Sequence, residues 1–454
     1  MSSAEKDIQS ECVEYTNTQK GTKDASDVVL INDQGEIRRI PVPSEDPNDP
    51  LNFNKFHKMG IMICCCWFSI FSLALVGGTG ATIGSATAKD YNTHLATRIL
   101  QGVAAGATES LLPLIITDMS FLDERGFWFG LYWAIQSTVN TVFLIGGSYL
   151  VQATSWRWFY WILAIFAIIG LIGGFFFLHE TRWQRSPTAI DGKVIHTDEW
   201  GVTHVLSDAE ALERFGHVTE ITETAEPTMK KSYLQRLKVY EGKAPNALGL
   251  LTGANKKMFK SCGSPGVVYA LLLSSISIGI GIAMSVTYGS ILGSKFHWSD
   301  EKVGIIPASI CAMVYSGWLG DKINIFLAKR RGGVHIPEDS LVTLIFPLIV
   351  GAIGIVIYGL SAQSPLKYGV WGLIMGWSLY EFSFIVVLIV TTQFASEAYP
   401  HYPGPALVVV VGAKNVISFA ASYGITPMVA KYSYVKAFMI VSYSPVARIH
   451  RVNS

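Results

Sequence analysis

Charge is what this chain has least of. Asp, Glu, Lys and Arg make up 15% of its 454 residues, where soluble domains carry about 25%. The 35 basic and 34 acidic residues nearly cancel, at a formal net charge of +1. No nucleic-acid partner is implied, since bulk attraction to nucleic acid needs a basic surplus. Cysteine is equally sparse, with six residues. Cys64, Cys65, Cys66 and Cys311 fall in apolar runs, Cys12 in the polar start and Cys262 just ahead of an apolar run, so no disulfide framework is expected. Residues 1–56 are polar and acidic and do not read as a signal peptide, so targeting is expected to fall to the first apolar run. No P-loop, Gly-x-Ser-x-Gly or His-Glu-x-x-His pattern occurs. The histidines are scattered, without metal-ligand spacing. An enzyme is therefore not expected, and neither a cofactor nor a metal.

Apolar residues, by contrast, make up half of the chain. They gather in uncharged runs of 18 or more, the length that crosses a bilayer as a helix. The fold class expected is all-α, a multi-span helical membrane protein in the lipid bilayer. Ten spans are predicted, near 59–88, 94–117, 127–151, 157–178, 265–293, 303–320, 341–361, 368–395, 404–426 and 433–447.

The span at 94–117 organises the rest. A helix turns about 100° per residue, so eleven residues return almost to the same face. Arg98, Gly102, Ala105 and Glu109 thus form one stripe, with Gln101 at its edge. Ionisable groups in a membrane helix line a protein-enclosed space, because lipid exposure costs about 3 kcal/mol each or more.

The same stretch carries a resemblance. Arg98-x-x-Gln101-Gly102-x-x-x-Gly106 resembles the fourth-helix motif of proton-coupled transporters of the major facilitator superfamily. The loop Asp118-Met119-Ser120-Phe121-Leu122-Asp123-Glu124-Arg125-Gly126 is similar to the one that follows this helix in fungal multidrug and polyamine carriers of that superfamily. So are Trp156-Arg157-Trp158 and Glu180-Thr181-Arg182, and the likeness covers most of 48–126, 146–185 and 265–440. It implies a fold of two helical halves that carry a small-molecule solute by alternating access, with the proton as coupling ion. Drug-like or polyamine organic cations would be the solutes. A monomer in the plasma membrane is implied, the vacuolar membrane being the alternative.

Against this frame the chain divides into a disordered cytoplasmic tail (1–56), an incomplete N-terminal transmembrane half (57–178), a linker (179–264) and a C-terminal transmembrane half (265–454). Basic residues dominate the end of the linker, from Lys230 to Lys260, which makes it cytoplasmic by the positive-inside rule. Ser207–Glu210 reads as a capping box. Tyr233, Leu234, Leu237 and Tyr240 form an apolar stripe on a basic interfacial helix. The family normally has three spans before the Arg-Gln-Gly helix. Here Met59 to Ala88 is one uncharged run of 30 residues, too long for one span and too short for two. Its start resembles span one and its end span three, and the resemblance implies that a segment of about 50 residues, the length of two spans with their loops, is absent between them. The run before Arg448 is short as well. A truncated, non-transporting membrane protein of the same lineage is the competing reading. A further departure lies at Val142 and Phe143, which stand where antiporters have a Gly-Pro pair ahead of Gly146-Gly147.

Secondary transporters bind near the bilayer midplane between their halves. Glu109, Tyr380, Glu381, Lys414 and Asn415 fall at the middle of spans, and Arg98 lies nearer an end with Gln101. These seven are the candidate substrate and proton residues. Glu109 and Glu381 supply negative charge for a cation or take up protons, while Lys414 balances one of them. A purely structural reading pairs Lys414 with Glu381. Trp133, Tyr132, Tyr288, Trp377 and Tyr423 are candidate aromatic linings. Gly317, Asp321 and Arg330 resemble the Gly-x-x-x-Asp loop that recurs in the superfamily. Asp321 there can accept N–H groups from a neighbouring helix end and latch one gate state. Gly102, Gly106, Gly146 and Gly147 are expected to pack helices closely.

Overall fold

The computed structural model describes residues 28–29, 43, 46–71, 76–181, 188–190, 193–197, 203–207, 232–237, 247–296, 309–397, 403–434 and 436–437. Its helices follow the apolar runs. The first group comprises α1 (Lys55–Phe71), α2 (Val76–Thr87), α3 (Tyr91–Met119), α4 (Arg125–Ala153) and α5 (Trp156–Phe177). After α6 (Ala247–Ser261), the second group comprises α7 (Pro265–Phe296), α8 (Ser309–Met313), α9 (Gly320–Arg330), α10 (Ile345–Gln363), α11 (Pro365–Glu397) and α12 (Pro403–Tyr432). A π turn, Val314–Leu319, joins α8 to α9.

Five described helices are long and apolar enough to cross a membrane: Tyr91–Met119, Trp156–Phe177, Pro265–Ser285, Asp339–Gln363 and Pro365–Glu397. The other five predicted spans fare differently. In the run 59–88, α1 accounts for the part up to Phe71 and α2 for the part from Val76, and residues 72–75 lie outside the described residues. The 127–151 span lies in α4, which is long enough but carries Gln136 and Asn140 within its apolar stretch. Helix continues through the π turn into α9, so Asp321 and Lys322 sit on a helix and not in the expected loop. The apolar part of α12 is Gly404–Phe419. Most of 433–447 lies outside the described residues.

Two details add to the helical architecture. Strands β2 (Thr188–Ile190), β3 (Lys193–Thr197) and β4 (Thr203–Ser207) form a small antiparallel meander in the linker. The polar start is not structureless where it is described. Val28–Val29, β1, pairs with Val334–His335, β5, and Pro50–Asn52 is a 3₁₀ turn capped by Asp49, whose carboxylate accepts the Leu51 N–H at 3.0 Å. Ser207 belongs to β4, and the rest of the expected capping box falls outside the described residues. The interfacial helix is one turn, Tyr233–Arg236, pinned where the Tyr233 hydroxyl donates to the Phe176 carbonyl at 2.9 Å.

The largest core lies between the two groups, where Ile61 and Met62 of α1, Ile116 of α3 and Phe129 and Tyr132 of α4 meet Ile385–Val390 of α11. A second core joins α7, α10 and α11 through Met284, Tyr288, Tyr358 and Trp377. α10 and α11 cross so closely that a Cβ on Gly354 would stand 2.7 Å from the Gly376 carbonyl, and one on Gly376 2.6 Å from the Tyr358 nitrogen. Hydroxyls inside the apolar helices return to their own backbone. Ser274 and Ser277 on α7 and Thr391 and Thr392 on α11 each donate to the carbonyl four residues back, which is how polar groups persist where water is absent.

Candidate functional site

The charged side chains at mid-helix meet across the two groups. Glu109 of α3 accepts the Asn415 Nδ2–H of α12 at 2.6 Å. Its own carbonyl has no helical donor, because Pro113, four residues on, lacks an N–H. Glu381 of α11 accepts the Ser137 hydroxyl of α4 at 2.8 Å. Lys414 of α12 is 3% exposed and holds its ammonium 4.3 Å from the centroid of the Trp133 ring on α4. The structure thus joins Glu109 with Asn415 and sets Lys414 on an aromatic face. Lys414 forms no ion pair within 4.0 Å with Glu381, the pairing of the purely structural reading. α11 turns Glu381 toward Ser137 of α4 instead.

The remaining sequence-predicted residues lie elsewhere. Tyr380 is buried in the second group, its hydroxyl donating to the Ser277 carbonyl of α7. Arg98 is exposed, with its guanidinium 5.1 Å from the Tyr160 ring and Nη1 donating to Gln101 at 3.4 Å. Gln101 in turn donates to Thr82 at 3.2 Å and Ser85 at 3.3 Å on α2. Both therefore tie α3 within the first group, about 12 to 16 Å along the helix from Glu109. Of the stripe, only Ala105 and Glu109 are half-buried, while Gly102 is exposed. Gly102 and Gly106 do not pack as expected, since nothing lies within 4 Å of a Cβ built on either and no described element covers that face. Gly146 and Gly147 lie on α4, with surroundings outside the described residues. Tyr423 is 77% exposed and lines nothing. Tyr288 and Trp377 meet edge to face at 4.7 Å, inside the second group.

At one end of α4 a second set of contacts crosses between the groups. Asp321 Oδ2 accepts the Phe127 N–H at 2.9 Å, in the first turn of α4. A carboxylate there satisfies a backbone donor that has no intrahelical partner and meets the positive end of the helix dipole. Burial lifts the Asp321 carboxyl well above the ordinary carboxylate range, opposed by that hydrogen bond. Gly126 allows the approach, because a Cβ there would fall on the Asp321 carboxylate. Gly317 comes as close, with a Cβ on it meeting Phe127 Cα at 3.2 Å. Arg125 reaches Glu397 at 3.6 Å, and Glu397 also faces His335 Nε2 at 3.1 Å. Arg330 is exposed, whereas its neighbour Arg331 pairs with Asp339. Sequence reasoning missed Ser137, Gly126, Arg125, Glu397 and His335. Only the Arg125-Gly126 pair at the end of the quoted loop motif offered a signal for any of them.

Comparison with known proteins agrees with this architecture. The Major Facilitator Superfamily profile matches residues 54–422. An uncharacterized MFS-type transporter of Schizosaccharomyces pombe is 21% identical over 88% of this chain and 83% of its own length. A multidrug transporter of Candida glabrata is 24% identical over 69% of this chain and 47% of its own. The chain spans about half the length of several of the curated relatives it matches. The crystal structure of the human organic anion transporter MFSD10 superposes with a TM-score of 0.50 at 16% identity, over 86% of this chain and 80% of that one, a likeness of fold. The chain belongs to the Major Facilitator Superfamily, a family of multi-pass membrane transporters of small solutes and not of enzymes.

Proposed function

We propose that this protein is a proton-coupled carrier of organic cations, drug-like or polyamine in character. The observation that carries the reading is the pair of inter-group contacts, Asn415 to Glu109 and Ser137 to Glu381. Both place a carboxylate between helices of different groups, where a solute bound at the midplane would stand. One carboxylate neutralises a bound amine while the other exchanges a proton. Rocking of residues 57–178 against 265–454 exposes the site to each side in turn. The contact of Asp321 with α4, supported by Gly317, closes one of the two states. Arg98 and Gln101 hold α3 in register. The tail and linker (1–56 and 179–264) are cytoplasmic, the carrier is a monomer, and the plasma membrane is its place, with the vacuolar membrane second.

A second reading, a non-transporting chain of the same lineage, is favoured by one observation. Arg98 and Gly102 face outward on α3, where a working carrier would have protein. Expression in a host stripped of its own polyamine and drug exporters separates the two. Altered uptake or resistance that collapses when the proton gradient is dissipated supports the carrier. A surface-localised chain that changes neither contradicts it.

A further inference from the structure

We propose that Lys414 and Trp133 together bind the carboxylate of an amphoteric solute, one that bears an amine as well. The proposal rests on the carrier reading and names the substrate class of the same site. An ammonium brings three donors and no acceptor. Lys414 as a residue is 3% exposed, yet among the described residues no carboxylate lies within 4.0 Å of its ammonium. Glu109 is itself engaged by Asn415. The contact that Lys414 does make is with the Trp133 ring face. On that same ring the Nε1–H is buried without an acceptor among the described residues.

A buried Trp133 N–H without a described acceptor thus adjoins, on the facing helix, an ammonium without an ion-pair partner. A buried donor left unmatched is costly, and an anionic acceptor satisfies both at once. One turn along α4 the polarity reverses. Gln136 presents an Oε1 with no described donor, and Ser137 holds the Glu381 carboxylate. Positions 133 and 136–137 differ by about 4.5 to 6 Å along the helix axis. The layout therefore matches a carboxylate and an amine a few bonds apart, with the aromatic ring beside them.

The test uses a matched set of probes on the full-length protein in lipid nanodiscs, read by isothermal titration calorimetry. The probes are 4-amino-3-phenylbutyrate, its decarboxylated amine 2-phenylpropylamine, and its deaminated acid 3-phenylbutyrate. The amphoteric probe should bind about tenfold or more tighter than the amine, the worth of one charge-assisted bond. Lys414→Gln should erase that advantage and Lys414→Arg should keep most of it. Trp133→Phe, which retains the ring and removes the N–H, should reduce it. An amine that binds as well as the amphoteric probe, an advantage that survives Lys414→Gln, or no binding of any probe overturns the proposal. Uptake into proteoliposomes separates it from the carrier reading. A protein that binds the amphoteric probe through Lys414 but moves none of it contradicts the carrier and leaves the site standing. Proton-driven uptake of the amine with no preference for the amphoteric probe does the reverse.

Discussion

Glu109 and Glu381 were legible as site candidates because a carboxylate in an apolar run has few structural uses. Their partners were not. Ser137 is an ordinary serine in a helix, and Asn415 stood out only by its place beside Lys414. Which of the two carboxylates would meet Lys414 depends on how α11 and α12 are rotated, and that is decided by packing against α4 and α7. Residue-scale consequences follow from the geometry. A Glu109→Gln, Glu381→Gln double variant retains the shape and both hydrogen-bonding oxygens but loses the charge. Uptake driven by a pH gradient should fall by about 100-fold, as expected for the loss of two buried charge interactions, while surface expression stays normal. Flux assays in sealed vesicles check this.

The helix crossings were the least readable feature, since forty-two glycines offer too many candidates. Gly102 and Gly106 matched a motif yet face open space, while Gly354 and Gly376 matched none and sit in the tightest crossing. The two cases predict opposite signs. Gly102→Ala should stabilise by about 0.5 kcal/mol through helix propensity alone. Gly376→Ala, whose methyl would strike the Tyr358 backbone, should destabilise by about 1 to 3 kcal/mol. Thermal unfolding in detergent distinguishes them. The α4 end behaves likewise, and Gly126→Ala should break the Asp321 contact. The latch has a pH sign as well. Its closed form holds the Asp321 carboxyl above the ordinary range, whereas opening returns it to water and to its usual value. The closed form thus binds the proton more tightly, and closure gains as pH falls from that raised pKa toward the ordinary carboxylate range. Cysteine accessibility at the α4–α9 contact should drop on acidification, and Asp321→Asn should abolish the dependence.

At the scale of the molecule, the pattern of long apolar runs made the fold class plain, and the break in 59–88 was visible as a length that suited neither one span nor two. The β2–β4 meander was not foreseen, since its short strands lie in a polar segment without clear alternation. The face of α3 around Gly102 is open, with nothing within 4 Å of a Cβ built there. A chain with two longer spans grafted between Phe71 and Val76 should therefore melt at a higher temperature than this one.

The most direct test of the central claim is proton-coupled flux through purified protein in proteoliposomes. An imposed pH gradient should drive uptake of an organic amine by the unmodified chain and not by the Glu109→Gln, Glu381→Gln variant. Equal uptake by the two, or none by either at full reconstitution, would contradict a carrier that works through these carboxylates.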